Sequence, residues 1–212
     1  MSEVAPSGSD GPIEVIVLNG ASSSGKTTLA ASLQDVLEES WLVFGIDTLI
    51  SALPLALLEI HDDATIGARP RDHVFRKGGL SFGAEGEVTV GAEYRRLEAA
   101  WLLGLSAIAD SGVRLILDEV FLDGRHSQDR VHQALAGRRV AWIGVTCDLD
   151  VATQRERDRG DRVVGESEKQ ARLVHDGVLY DLVVDTTSRS SDEVAGQIAR
   201  HLRCLLYTSR CV

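Results

Sequence analysis

The sequence predicts a three-layer α/β domain with about five strands in a mostly parallel sheet, and three observations carry that prediction. Short β-branched apolar runs alternate with amphipathic helical stretches, the pattern of repeated βαβ units. A glycine-rich turn, GASSSGKT, stands between the first such run and the first helix. A later run, VRLIL, ends in the paired acids Asp118 and Glu119.

The elements follow in order. Residues 13–19, IEVIVLN, fit a buried parallel strand. After the glycine-rich turn, TTLAASLQDVLEE is helical, with Leu29, Leu33 and Val36 in register. WLVFGID, 41–47, reads as a second buried strand. TLISALPLALLEI begins as a helix that Pro54 either kinks or ends by opening a new turn. Residues 59–90 are glycine-rich, charged and weakly periodic. They are expected to be an insertion or acceptor loop, with SFGAEGEVTV making a small hairpin about Glu85-Gly86.

A longer helix is expected over 91–111, stopped by Gly112. Then come a strand at 113–121, a helix at 124–136 and a strand at 139–148. An arginine-rich segment at 153–162, a helix at 166–175 and a short strand at 181–187 precede the terminal helix. That helix, SSDEVAGQIARHLR, aligns Val194, Ile198 and Leu202 on one face.

Bulk properties narrow the function classes. A chain of 212 residues with 44% hydrophobic and 25% charged residues is one soluble domain, at most with a lid. No run reaches the roughly 18 apolar residues of a membrane helix. The start, MSEVAPSGSDGP, has neither a basic n-region nor an apolar h-region. Residues 1–12 therefore read as a disordered lead, the expected location is the cytoplasm, and no membrane partner is expected. The net charge of −10 repels polyanions unless a basic face is segregated, and none is visible, which excludes nucleic acid as a partner. Cys147, Cys204 and Cys211 form neither a disulfide framework nor a metal pattern, and the histidines have no ligand spacing. Nothing in the sequence fixes an oligomeric state.

The last nine residues, CLLYTSRCV, break abruptly from the helix before them. One back-translation, TGT-CTC-TTA-TAC-ACA-TCT-AGA-TGT-GTA, reads as a transposase end used in sequencing-library preparation followed by the start of its inverse. The expectation is that 204–212 is adaptor read-through and that the native sequence, a kinase domain over 13–203, ends near Arg203.

Gly20-Ala21-Ser22-Ser23-Ser24-Gly25-Lys26-Thr27 is a full match to G-x-x-x-x-G-K-[ST], placed after a strand and opening a helix. Its glycines let the backbone approach phosphate oxygens, with N–H groups aimed inward at the positive helix end. Gly20 to Thr28 are therefore the nucleotide-binding candidates. Lys26 would bridge the β- and γ-phosphates of ATP, and Thr27 would ligate Mg²⁺. Asp118, at the end of its strand, is placed to reach the same Mg²⁺ shell; a solvated strand-end acid is the plainer reading.

Asp47 closes the second strand, where a carboxylate can take the proton of an acceptor hydroxyl, or only cap the next helix. Arg155, Arg159 and Arg162 share one face if their stretch is helical, and arginines suit the charge that spreads in phosphoryl transfer. Acids at 156, 158 and 161 interleave with them, so a salt-bridged surface helix remains an alternative.

Taken together, VIVLNGASSSGKT, WLVFGIDTLI, LDEVF, the R-x-R-x-R-G-D-R-V segment and HDGVLYDLVVDTT resemble the chloramphenicol phosphotransferase-like family in order and spacing over about residues 13–203. The resemblance implies a nucleotide-kinase-like P-loop NTPase fold and Mg·ATP-dependent phosphorylation of a drug hydroxyl, with chloramphenicol as the implied acceptor and antibiotic resistance as the implied role. It implies Asp47 as catalytic base, Lys26 and Thr27 as phosphate and Mg²⁺ residues, and Arg155, Arg159 and Arg162 as an arginine-bearing lid within 153–165.

The departure is at 59–80, longer and more charged than the family pattern, so 59–90 is expected to form most of the acceptor wall. His61, Asp62, Arg69, His73 and Trp101 are the candidates to touch an acceptor. Other acceptors, such as a metabolite, a sugar or a nucleoside, fit the same machinery. An ATP-binding regulatory or toxin-type module is the alternative of another class.

Overall fold

The computed structural model describes residues 11–60, 77–83, 87–159 and 166–208, apart from the side chains of Ile60, Arg159, Glu166 and residues 206–208. Strand β1, Val15–Asn19, is buried along its whole length, as a central strand must be when helices cover both sheet faces. Then come α1 (Lys26–Val36), β2 (Trp41–Gly45) and α2 (Ile46–Ala52). A small sheet follows, of β3 (Leu58–Ile60), β4 (Leu80–Phe82) and β5 (Val88–Val90). The rest is α3 (Ala92–Asp110), β6 (Arg114–Glu119), α4 (Arg125–Ala134), β7 (Val140–Thr146), α5 (Leu149–Arg159), α6 (Glu166–Leu173), β8 (Leu182–Asp185) and α7 (Ser191–Thr208).

The main sheet has five strands in the order β2-β6-β1-β7-β8, every pair parallel. From β1 the chain leaves to one side for β2 and β6 and to the other for β7 and β8. The C-terminal end of β1 is thus a switch point, where a crevice opens. Side chains along β1 alternate between the two layers. Ile16 and Leu18 pack with Leu29 and Leu33 of α1 and Val194 and Ile198 of α7. Val15 and Val17 face Leu102 and Leu105 of α3 and Val131 of α4.

One expectation needs correction. The segment read as a strand to Asp47 ends at Gly45, and Asp47 stands in the first turn of α2. Of the two readings of Pro54 the second holds: the helix ends at Ala52 and Pro54 opens a single 3₁₀ turn, Leu55–Leu57. Residues after it pair as β3 with β4, because Leu58 and Leu80 bury together with Leu49, Leu53 and Tyr94. The hairpin is present as antiparallel β4 and β5, with Glu85-Gly86 outside the described residues. Helix α7 runs on past Arg203, and Leu205 packs against the core.

Candidate functional site

The loop from Gly20 to Gly25 leaves β1 and turns back into α1. Gly25, the N-cap, has φ 89°, and Ser23 has φ 58°, a left-handed conformation that costs a serine energy. Gly20 lies so close to the Val145 carbonyl that a Cβ there would overlap it. Helix α1 has no side-chain cap and no acid in its first turn, so its open N–H groups are left for an anion. The Ser22, Ser23 and Ser24 hydroxyls are buried without hydrogen-bond partners. Three orphaned donors around a helix N-terminus fit a polyphosphate.

The Lys26 ammonium donates to the Ala21 carbonyl at 2.9 Å and lies 3.8 Å from an Asp118 oxygen. Thr27 Oγ1 donates to Asp118 Oδ2 at 2.7 Å. One hydroxyl and one carboxylate side by side suit Mg²⁺, which keeps waters and shares phosphate oxygens rather than filling an all-protein cage. No cluster of three or more His, Cys, Asp or Glu side chains suited to a metal occurs among the described residues.

Register brings the second carboxylate to the same crevice. Gly45 pairs with Asp118, and a Cβ on Gly45 would stand 2.5 Å from the Asp118 carbonyl. That close approach lets α2 start beside the end of β6, with Asp47 exposed on its first turn. Asp47 is near enough to help raise the Glu119 carboxyl, which burial chiefly, then Asp118 and Glu98, push up to about 8 against the pull of Lys26.

Arg155, on α5, reaches across to the loop. Its Nη2 donates to the Thr186 carbonyl at 2.8 Å and its Nη1 to Cys147 Sγ at 3.3 Å. Thr186 Oγ1 in turn donates to the Ser24 carbonyl at 2.7 Å. The Arg159 side chain and all of Arg162 lie outside the described residues.

Several residues that hold the site were missed in the sequence. Gln170 of α6 accepts the Ser22 N–H at 2.8 Å. Ser167, on the same helix, donates its N–H and hydroxyl to the buried carboxylate of Glu156 on α5, at 3.1 and 3.2 Å, tying the two helices together. Asn19, the last residue of β1, donates to the Val174 carbonyl and to the Tyr180 hydroxyl, both at 2.6 Å, and accepts the Phe121 N–H at 2.9 Å. Tyr180 meets His175 Nδ1 at 2.7 Å. Burial pushes the tyrosine up to about 12, and burial with the Lys26 charge holds the imidazole below its ordinary range. A glutamine or asparagine without a motif gives no signal, although HDGVLYD carried His175 and Tyr180 as part of the resemblance.

Beside Asp47 and Asp118 a pocket opens between α3, α4 and the end of β6. Ile46, Trp101, Leu102, Phe121 and Val131 make its apolar wall, and Glu98, Glu119, Ser127 and Arg130 its polar one. Arg130 bridges to Glu98 at 3.3 Å and to Asp123 at 3.3 Å, while Arg95 pairs with both acids. Of the acceptor candidates, Trp101 lines this pocket; His61, Asp62, Arg69 and His73 lie outside the described residues. No described residue of 59–90 is among the pocket's lining residues.

Residues 13–203 match the chloramphenicol phosphotransferase-like protein family. A Mycobacterium tuberculosis protein, provisionally named an O-phosphotransferase in strains H37Rv and CDC 1551, is 31% identical over 191 residues, 87% of this chain and 80% of that one. Among solved structures, a sugar kinase from Janibacter sp. HTCC2649 superposes with TM-score 0.61 at 18% identity, covering 91% of this chain and 95% of the other. The Deinococcus radiodurans tunicamycin resistance protein gives 0.56 at 18% (91% and 96%). The Mycobacterium tuberculosis APS kinase gives 0.55 at 17% (91% and 99%). At such identities these likenesses show the fold alone. The match over 13–203 and the phosphate loop on a five-stranded parallel sheet agree: the chain has the fold of a P-loop kinase and belongs to the chloramphenicol phosphotransferase-like family.

Proposed function

We infer that the protein is a Mg·ATP-dependent O-phosphotransferase acting on the hydroxyl of a small molecule, with the chloramphenicol 3-hydroxyl as the first acceptor to test. The observation that carries this reading is the Thr27–Asp118 pair at 2.7 Å beside the orphaned serine hydroxyls. Bound Mg·ATP supplies the transferable γ-phosphoryl group and the metal charge that neutralises it. Lys26 and the loop N–H groups hold the phosphates. Thr27 and Asp118 hold the metal. Asp47 takes the proton of the acceptor hydroxyl, and Arg155, with Arg159 and Arg162, is assigned to the negative charge that spreads over the transferring phosphoryl group. Inactivation of an antibiotic in the cytoplasm is the role this chemistry would serve.

A second acceptor class has its own support. Glu98, Glu119, Ser127 and Arg130 line one side of the pocket, a wall suited to a molecule with several hydroxyl groups, such as a sugar. Incubating the protein with Mg·ATP and a panel of chloramphenicol, sugars and nucleosides, followed by mass spectrometry, separates the two. A phosphoryl gain on chloramphenicol alone supports the first acceptor, and a gain on a sugar alone the second. No gain on any alcohol removes the phosphotransferase reading.

A further inference from the structure

The Ala21–Ser22 peptide group is held at both ends. Its carbonyl accepts from Lys26 Nζ at 2.9 Å, and its N–H donates to Gln170 Oε1 at 2.8 Å. The first of these residues belongs to the phosphate motif; the second does not. Gln170 comes from α6, is 6% exposed, and reaches the loop across most of the chain's length.

The orientation of this carboxamide follows from its partner. A backbone N–H can only donate, so the atom facing Ser22 is the oxygen, and the amide nitrogen is the free end. Nε2 donates to none of the described residues. A glutamine fixed by its oxygen against the phosphate loop therefore keeps two N–H donors in reserve. Around it the Ser22, Ser23 and Ser24 hydroxyls are buried without partners. Polar groups buried this way call for a ligand that accepts hydrogen bonds, and a phosphate oxygen does so with charge assistance.

Position along the loop selects the phosphate. Lys26 is the residue that spans the β- and γ-phosphates in loops of this type, and its ammonium lies on the same peptide group as Gln170. The opposite end of the cradle is marked by Thr186 and Arg155 at Ser24 and Gly25. Helix α6 is joined to α5 through Ser167 and Glu156, so a contact at Gln170 is shared with the arginine-bearing helix.

We propose that Gln170 is a phosphate-contacting residue of this enzyme: held by Ser22 through its oxygen, it donates its amide N–H to the terminal phosphate of ATP. This gives the triphosphate its advantage over the diphosphate and reports its presence to the α5–α6 pair. The proposal rests on the phosphotransferase reading above and adds a residue outside the phosphate motif.

The test is nucleotide binding rather than turnover. Calorimetric titration with Mg·AMPPNP and with Mg·ADP is made on the parent protein, on Gln170→Glu and on Gln170→Met, with the melting temperature of each ligand-free protein recorded alongside. Glutamate still accepts the Ser22 N–H but has no donor, so a purely structural role is rescued and a phosphate-donating role is not. The expected result is a near-parental melting temperature for Gln170→Glu and a loss of the AMPPNP-over-ADP preference by roughly tenfold or more. Gln170→Met, similar in size and without a donor, lowers the same preference. A preference unchanged in both variants overturns the proposal while leaving the kinase reading intact. A parent protein that binds neither nucleotide overturns both.

Discussion

Lys26 and Gln170 grip one peptide group from opposite sides, the lysine on the Ala21 carbonyl at 2.9 Å and the glutamine on the Ser22 N–H at 2.8 Å. The lysine comes from the helix that the loop opens, and the glutamine from α6, far along the chain. The loop is thereby pinned on both sides of that peptide. Lys26 is the loop's phosphate-bridging residue, so Lys26→Ala should remove Mg·ATP binding almost entirely. Because the lysine's bond to the loop is one of several holding it, the melting temperature of the ligand-free protein should change little. Isothermal titration beside a melting curve checks both halves.

The Thr27–Asp118 pair makes a separate claim about the metal. Asp118→Asn keeps a hydrogen-bond acceptor for Thr27 but removes the charge proposed to hold Mg²⁺. Transfer should fall by about a hundredfold or more at ordinary Mg²⁺, and the Mg²⁺ concentration for half-maximal rate should rise. A Mg²⁺ titration of the variant reads this directly. An unchanged Mg²⁺ requirement would show that Asp118 serves only the loop.

Gly45 stands between the acceptor side and the metal side of the crevice. A Cβ there would press on the Asp118 carbonyl at 2.5 Å and on its Cβ at 3.0 Å, so Gly45→Ala must part β2 from β6 and shift Asp47 with the start of α2. The expected cost is about 1–3 kcal/mol of stability. A larger proportional loss in kcat than in nucleotide affinity should accompany it, read from urea unfolding and steady-state kinetics.

Arg155 spends its guanidinium on Thr186 and Cys147 rather than on a lone acid. A planar fork with donors on two nitrogens is not replaced by an ammonium. Arg155→Lys should therefore behave almost like Arg155→Ala, each lowering transfer by about tenfold to a hundredfold. Near-parental rates in the lysine variant would assign the residue a charge role only.

His175 links the site to pH. Burial first, and then the Lys26 ammonium, hold its imidazole below the ordinary value of 6.5. The unfolded chain therefore takes up the proton before the folded one does. Stability falls as pH drops from about 6.5 towards the lowered folded value, and is unaffected by this group above that window. His175→Gln should flatten the dependence. Urea midpoints at about pH 7.5 and about pH 5.5 should differ less in the variant than in the parent.

The sheet and the phosphate cradle were legible because both are local patterns. VIVL, residues 15–18, is apolar throughout since a central parallel strand has no exposed face, and GASSSGKT needs its glycines wherever the backbone must curl around phosphate. The length of β2 was misread because Ile46 continues an apolar, strand-like run up to Asp47; only the close approach of Gly45 to Asp118 ends the strand there. Strand β3 was hidden because LLEI suits a helix as well as a strand, and its pairing partner lies beyond the charged segment that follows. The roles of Gln170 and Asn19 could not be read, and Glu156, grouped with the acids of a surface helix, is instead buried against Ser167. Their roles come from what folding sets beside them, and no spacing within the sequence encodes it. The pocket wall of Glu98, Glu119 and Arg130 draws on α3, β6 and α4, so it too appears only in three dimensions.

The central claim is that Asp47 takes the proton of an acceptor hydroxyl while the loop holds Mg·ATP. The most direct measurement is ADP release from Mg·ATP, with and without chloramphenicol or the acceptor identified by the panel, in the parent and in Asp47→Ala, with nucleotide affinity measured on both. The account predicts acceptor-dependent ADP release in the parent and its loss in Asp47→Ala at unchanged nucleotide affinity. Acceptor-dependent release that persists in Asp47→Ala would contradict it.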